Sequence, residues 1–452
     1  MGGLIRLCAA GTLSLITLAG CGALQRDDPP LFGQRFGTRV PLADSLPNEA
    51  GEFPVIQDGA AADAARAITL PGAQSLSAWP QRGANAQNLS PHAALGSELS
   101  EVWAVDIGAG NSRRARITAD PVAADGRIFT LDALGQVTAV STGGAVLWRA
   151  DLTAGFDRGG GISGGGLAIE GASLYATTGY GELVALDVAS GEVRWRQRLN
   201  AGLTTPTVAG GVIYVVSRNS AAWAVETSNG RIRWSLPAAP AGAILAGGAA
   251  PAISDRSVIF PFGSGELVAA LRESGVRVWG TTVAGERRGV AYNNLNDITG
   301  DPVISNGIVY AGNQSGRVVA LQASSGERLW TASEGSYSPV LPVGGSLFFV
   351  SDRNELLRIE ADTGARIWGT ELPLYVNDRV SRRRAVFTHY GPVFAGGQLI
   401  VASGDGRIRL FELEGGSETG SLGIRCGAAA NPIVIGETLY VVSADGRLHA
   451  YR

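Results

Sequence analysis

Residues 121–148 read PVAADGRIFTLDALGQVTAVSTGGAVLW, and the order of signals in that stretch decides the fold. A Pro-Val start leads to a turn at Asp125-Gly126, the apolar pair Ile128-Phe129, a second turn near Gly135, then Val137, Ala139 and Val140, a third turn at Gly143-Gly144, and Trp148. Three turns cut the stretch into four short strands, because Asp-Gly and Gly-Gly pairs supply the positive φ that tight hairpins require. The same order recurs from Leu167, Pro206, Pro251, Pro302, Pro339, Pro392 and Pro432. Trp195, Trp234, Trp279, Trp330 and Trp368 take the place of Trp148 in five of these units, and Leu422 takes it in the unit from Pro392.

The spacing carries more than the motif. From start to Trp, or to Leu422, the complete units span 27 to 30 residues, whereas the distance from there to the next start varies from 9 to 24. Constant blocks joined by variable connections follow. Strands such as Ile213-Tyr214-Val215-Val216 and Leu439-Tyr440-Val441-Val442 are apolar enough to demand burial on both faces, which radially stacked sheets provide. The last unit stops at Arg452 before its fourth strand, and Glu101-Val102-Trp103-Ala104-Val105 is left over at the other end. The expected fold is therefore all-β: an eight-bladed β-propeller of four-stranded antiparallel blades, closed by an N-terminal strand in the last blade, so that no open edge remains. A solenoid, the rival architecture, would need polar caps at both ends, and the sequence has none.

Composition agrees, with 64 glycines among 452 residues, 45% apolar residues and 17% charged ones. At the N-terminus, Arg6 precedes an apolar stretch from Leu7 to Ala19, shorter than the roughly 20 residues that span a bilayer. That is the pattern of a signal peptide, and its end, Leu18-Ala19-Gly20-Cys21, resembles the lipobox of bacterial lipoproteins, which makes Cys21 the acylated residue. By the same resemblance, Gly22, in place of Asp, implies transfer to the outer membrane. The expected organisation is a signal peptide over 1–20, a lipidated Cys and flexible tether over 21–75 with a short helix near Ala60–Ala67, and the propeller over 76–452. Cys8 leaves with the signal peptide and Cys21 is taken by lipid, so Cys426 has no disulfide partner and is expected as a small buried hydrophobe. A net charge of −3, with arginine as the only basic residue besides histidine, argues against a general nucleic-acid binder.

Ala185-Leu186-Asp187 with Ser190-Gly191 and Trp195, Leu321 with Ser325-Gly326 and Trp330, and Ala361-Asp362-Thr363-Gly364 with Trp368 resemble the tryptophan-docking repeat of quinoprotein propellers. In that repeat the Gly makes the turn and the Trp wedges between blades, which implies a structural role for Trp103, Trp148, Trp195, Trp234, Trp279, Trp330 and Trp368. Over roughly residues 76–452, and in its lipobox, the chain is similar to the BamB family of outer-membrane assembly lipoproteins. The resemblance implies a non-catalytic scaffold without cofactor or metal, lipid-anchored at the periplasmic face of the outer membrane. Its expected partners are the periplasmic domains of the central barrel assembly protein, BamA, and unfolded outer-membrane proteins. In that family the contact maps to two neighbouring outer-to-inner connections, one with a Leu-Arg pair and the next with an Asp-x-Asp pattern. Leu245 and Asp297 match, while Ala246 and Thr299 replace the Arg and the second Asp; Arg287 and Arg288, near Asp297, are expected to compensate.

Two other classes stay open on the residues alone. A quinone (PQQ)-dependent periplasmic dehydrogenase is the enzymatic one; by resemblance such enzymes use an acidic base beside Ca²⁺, and many an adjacent cysteine pair. This chain has no Cys-Cys pair and only His92, His389 and His449, while Asp187, Glu226, Asp297 and Asp362 sit where turns form. A sugar-binding propeller is the other. Gly263-Ser264-Gly265 and Gly161-Ile162-Ser163-Gly164 lack the helix of a nucleophile elbow, and Gly159-Gly160-Gly161 lacks the Lys of a phosphate cradle. Because strands alternate in direction, all outer-to-inner connections emerge on one face, with Arg113, Arg114, Arg116, Arg287, Arg288, Arg382, Arg383 and Arg384. Guanidinium groups pair bidentately with carboxylates, so these clusters are candidate recognition groups; the alternative is ordinary solvated loop charge. Outer strands offer a second mode, in which an extended client adds as a strand, and no sequence feature singles out one edge.

Overall fold

Turn glycines cut the chain into eight four-stranded antiparallel sheets arranged as a ring of blades. The computed structural model describes residues 55–57, 64–155, 163–241, 247–283, 285 and 296–452, all within one unit, Leu42–Arg452. The signal segment and Cys21 lie outside the described residues. Blade 1 runs inward to outward as Val122–Ala124, Arg127–Leu131, Gln136–Ser141 and Val146–Asp151, and blades 2 to 7 repeat this order. Their outer strands are Val193–Arg198, Ile232–Pro237, Arg277–Thr282, Arg328–Ala332, Arg366–Glu371 and Glu418–Gly423. Blade 8 takes Ile433–Ile435, Thr438–Ser443 and Arg447–Tyr451 from the C-terminus and Glu101–Asp106 from the N-terminal side, paired Trp103↔Ala450 and Val105↔Leu448. The propeller and its clasp are as the spacing predicts.

Inner strands are buried on both faces, as in Val212–Ser217, whereas outer strands alternate between exposed and half-buried positions, as in Val146–Asp151. In every blade the pairing of third and fourth strands slips by one residue next to the Trp or its equivalent. Such a bulge bends the strand and re-aims the side chain after it. Each Trp thereby reaches the next blade, where its indole N–H donates to a carbonyl: Trp103 to Thr142, Trp148 to Val188, Trp195 to Thr227, Trp234 to Arg272, Trp279 to Ala323, Trp330 to Ala361 and Trp368 to Leu413, at 2.8–3.2 Å. The ring lies flat on a turn glycine of that blade; a Cβ on Gly326 would stand 2.5 Å from the Trp279 ring. Blade 7 corrects the sequence reading: after the bulge at Thr419 it is Gly420, paired with Leu410, that stands where Trp148 pairs with Ala139, and Leu422 stands where Ala150 does; blade 8 has no turn glycine to receive a ring, because no turn joins its third and fourth strands.

Three further features depart from the sequence reading. Cys426 is exposed, because it occupies a left-handed turn (φ 60°) between the outer strand of blade 7 and the inner strand of blade 8. Of the helix expected near Ala60–Ala67, the described part is not helical: Ala64 N donates to Ile367 O and Arg66 N to Glu414 O, and the buried Arg358 guanidinium donates to the carbonyls of Arg66 and Ala67. The first strand of blade 7 starts at His389, before Pro392, with an irregular register between Tyr390 and Val393, where a residue lacking an N–H is tolerated.

Residues 74–93 make a circuit of the axis. Leu76 O accepts from Gly436 N of blade 8, Trp79 exchanges backbone bonds with Ala123 of blade 1, and Pro80 O accepts from Ile169 N of blade 2. Gln81 Oε1 accepts from Val208 N of blade 3, Ala86 O from Ile253 N of blade 4, Gln87 O from Ile304 N of blade 5, and Ala93 O from Gly396 N of blade 7. Inner strands present an unpaired edge to the channel, and the circuit satisfies part of seven of these edges.

Candidate protein-binding surfaces

The face that gathers the outer-to-inner connections is the most varied part of the molecule. Between blades 6 and 7 the connection rises as a short hairpin: Tyr375 bridges Val386, Val376 N donates to Ala385 O, and a 3-10 turn, Val380–Arg382, forms the tip. Arg379, Arg382, Arg383 and Arg384 are exposed there beside one carboxylate, Asp378, and Val380 is 79% exposed. Arg383 lies over the Tyr375 ring at 4.6 Å and donates from Nε to Asp378 O, which holds its guanidinium in place.

The neighbouring connections add to this sector. Arg425, exposed, lies between blades 7 and 8, and Arg113, Arg114 and Arg116, all exposed, lie between blades 8 and 1. Two of the three predicted arginine clusters thus belong to one run of adjacent connections, and Arg379 and Arg425 join them. The sequence reading passed over both because neither has a basic neighbour to mark it. Arg287, Arg288 and Leu245 lie outside the described residues. Asp297 is only 4% exposed, and its charge acts on Arg218, whose guanidinium burial pushes down and Asp297 raises in part.

A second concentration of charge lies in the channel. Arg82, carried by the circuit, donates Nε to Asp120 (2.6 Å) and Nη1 to Asp301 (3.2 Å), two carboxylates from opposite parts of the ring. Burial opposes the Arg82 charge, and the two aspartates more than offset this, holding its pKa above the ordinary value. Asp120 also accepts from Asn431 N and Nδ2, Asp301 accepts from Ala250 N, and Asn88 Nδ2 donates to the carbonyls of Pro251 and Pro302. Where the inner strands converge, most of these polar groups bond to one another, while Asn88 Oδ1, Ser90 Oγ and Asp301 Oδ2 are buried without a hydrogen-bond partner among the described residues. A sequence signal for this existed: Asp120-Pro121, Asp301-Pro302 and Asn431-Pro432 place the same kind of side chain before three unit starts.

One constellation has the residue types of a nucleophilic site. His449 Nε2 lies 2.9 Å from Ser443 Oγ and Nδ1 3.3 Å from Glu101. Ser443 is fully buried, however, and its hydroxyl donates to Asp445. Serines at the same place at the end of the second strand take other partners: Ser217 accepts from Trp223 Nε1, and Ser403 accepts from Arg409 and contacts His389 Nδ1. The arrangement belongs to the repeat as a polar tie between strands. Ser264 sits in a turn, with its hydroxyl toward Glu266.

Residues 133–370 match the family described as outer membrane protein assembly factor BamB. The outer membrane protein assembly factor BamB of Yersinia pestis is 24% identical over 374 residues, 80% of this chain and 92% of that one. The crystal structure of BamB from Moraxella catarrhalis is similar with a TM-score of 0.65 at 18% identity, over 78% of this chain and 100% of that one. Quinohemoprotein alcohol dehydrogenase from Comamonas testosteroni has the same TM-score at 13% identity, over 84% and 81%. At these identities the likeness to solved structures shows the fold.

Proposed function

The chain belongs to the family of the outer membrane protein assembly factor BamB, and on that premise we propose that it is a non-catalytic scaffold of the machinery that assembles outer-membrane β-barrels. Cys21 carries the lipid that keeps it at the periplasmic face of the outer membrane; two or more acyl chains make such anchoring stable. The connection face binds the periplasmic domains of the central barrel protein. Arg382, Arg383 and Arg384, with Leu245, Arg287 and Arg288, supply contacts, and the buried Asp297 contributes through its charge on Arg218. The observation that carries this reading is the family match across more than half of the chain.

Support from the surface is twofold. Arginine is favoured at interface hot spots because its planar fork pairs with carboxylates, and the projecting hairpin places guanidiniums beside exposed valines, the mixture such contacts use. Affinity capture of the acylated chain from detergent-solubilised membranes tests the proposal. The central barrel protein is expected in the eluate, and reduced when Arg287 and Arg288, or Arg382 to Arg384, are changed to Glu. An eluate without it would remove the proposal; unchanged recovery with both charge reversals would remove the arginines from it.

A further inference from the structure

The circuit through the channel skips one blade. In blades 1 to 5 an inner-strand N–H reaches it, from Ala123, Ile169, Val208, Ile253 and Ile304 in turn. In blade 6 the position of Ile304, paired with Val309, is taken by Pro342, paired with Leu347, and proline has no N–H to give. Among the described residues the circuit makes no backbone bond to that blade. A cavity of about 40 Å³ lies between the circuit and the starts of three inner strands: Val340-Leu341 of blade 6, Pro392-Val393 of blade 7 and Pro432-Ile433 of blade 8. Inner strands start at the connection face, so the cavity lies at that end of the channel.

These walls are apolar, whereas the circuit brings polar atoms with nothing to bond. Asn88 and Ser90 line the cavity, and Asn88 Oδ1 and Ser90 Oγ are buried without a hydrogen-bond partner among the described residues. Asn88 Nδ2 donates to the carbonyls of Ala250, Pro251 and Pro302, which fixes the amide so that its oxygen is the free atom. Leaving such groups unpaired is costly, so the place suits a donor that arrives from outside. The space admits about three waters, or the branched end of one aliphatic side chain. The connections that lead into the walls carry the exposed arginines: Arg382 to Arg384 lead to Pro392, Arg425 to Pro432, and Arg113, Arg114 and Arg116 to Asp120, which also lines the cavity. Arg116 comes close enough to act on Tyr390, the neighbour of Gly391 at the cavity's edge: burial pushes that phenol up, and the Arg116 charge opposes it in part.

We propose that this cavity is an anchor pocket, which takes one branched aliphatic side chain from an acidic segment of a partner protein. The side chain fills the apolar space, a backbone N–H beside it donates to Asn88 Oδ1, and the segment's carboxylates pair with the guanidiniums of the surrounding connections. Anchors of this kind sit near the centre of an interface and carry much of its energy. The inference rests on the reading of the connection face as the partner-binding surface and adds how that face grips. Leu245, Arg287 and Arg288 belong to other connections and take no part in it.

The probe is an acetylated and amidated peptide, Asp-Glu-Leu-Asp-Glu, titrated into the full chain with labelled methyl groups. Shifts are expected in the methyl resonances of Val340, Leu341, Val393 and Ile433, and none at the exposed Val102 or Ile232 of the outer strands. With alanine in place of the peptide's leucine the affinity should fall about tenfold or more, as the loss of one buried aliphatic side chain requires. Ser90→Leu fills the cavity from the circuit side and removes an unpaired hydroxyl, so it should keep the melting temperature and abolish the shifts. No shift at those four residues, equal affinity of the two peptides, or unchanged binding by a folded Ser90→Leu chain overturns the proposal. If that variant does not fold, the two peptides on the wild-type chain decide. The titration needs no barrel protein, so its failure is distinct from the absence of that protein in affinity capture.

Discussion

Gly326 and Gly307 have nearly the same backbone, with φ of 74° and 78°, but only Gly326 carries a tryptophan ring; around Gly307 a Cβ would meet nothing within 4 Å. Gly307→Ala should therefore show the cost of left-handed backbone alone, about 1 kcal/mol. Gly326→Ala adds a clash with Trp279 and should cost about 2–4 kcal/mol in all. Urea midpoints at constant slope measure both; equal losses would mean that the docking contact contributes nothing. Arg82→Met leaves Asp120 and Asp301 buried without their shared cation. Such a broken buried pair costs about 3–5 kcal/mol, and adding Asp301→Asn should recover part of it, because the variant amide needs no counter-charge. A melting temperature close to wild type in the single variant would show that the channel network is not a stabilising tie.

At the level of the strand, His389 at the start of blade 7 and His449 within the third strand of blade 8 give the fold a pH dependence. Burial is the main cause holding His389 and His449 below the ordinary value of 6.5; Pro373 O opposes it at His389 and Glu101 at His449. The folded chain holds both rings neutral to a lower pH than the unfolded chain, which takes up protons as the pH falls below about 6.5. The unfolded state then binds more protons, so the stability present above that pH declines as it is lowered. His389→Gln should flatten the fall in melting temperature between pH 7 and 5, and an unchanged slope would assign the loss to other groups. Strands and bulges were legible in different degrees. Turn glycines mark most strand breaks, because positive φ is a property of one or two residues; Arg218-Asn219-Ser220 and Asp352-Arg353-Asn354 make the break without one, with Ser220 and Asn354 at positive φ. The bulge before each Trp, and before Gly420 in blade 7, was not marked, since Leu147, Arg194 and Thr419 share no residue type.

Ring closure is the property of the whole molecule. The strand Glu101–Asp106 joins the end of the chain to its beginning, and Trp103 passes the docking contact on to blade 1. Ala104→Pro with Val105→Pro removes the ladder donor whichever of the two faces Arg447–Tyr451, and opens the ring at one seam. Amide exchange should rise first in Arg447–Tyr451 and in Val122–Ala124 of the neighbouring blade; uniform acceleration in all blades would mean that the ring opens as one unit. The connection face was legible as a place, because strand alternation sends every long connection to one side. Which arginines gather on it was legible only in part: Arg382–Arg384 announce themselves as a run, whereas Arg425 joins them only through the order of the blades.

Whatever depends on neighbours in the chain was set by the sequence alone: the number of blades, the clasp and the place of each Trp. Turn chemistry and alternation act over a few residues and repeat without reference to the rest. Tertiary structure decided the others. The Arg82 contact with Asp301 joins groups 219 residues apart, the path of residues 74–93 follows seven separate inner edges, and Val55–Gln57 pairs in parallel with Trp330–Ala332 of the blade 5 outer strand, which the chain reaches only after two-thirds of its length. Such contacts exist only once the ring has closed, since closure brings distant unpaired edges and buried charges within bonding reach of one another.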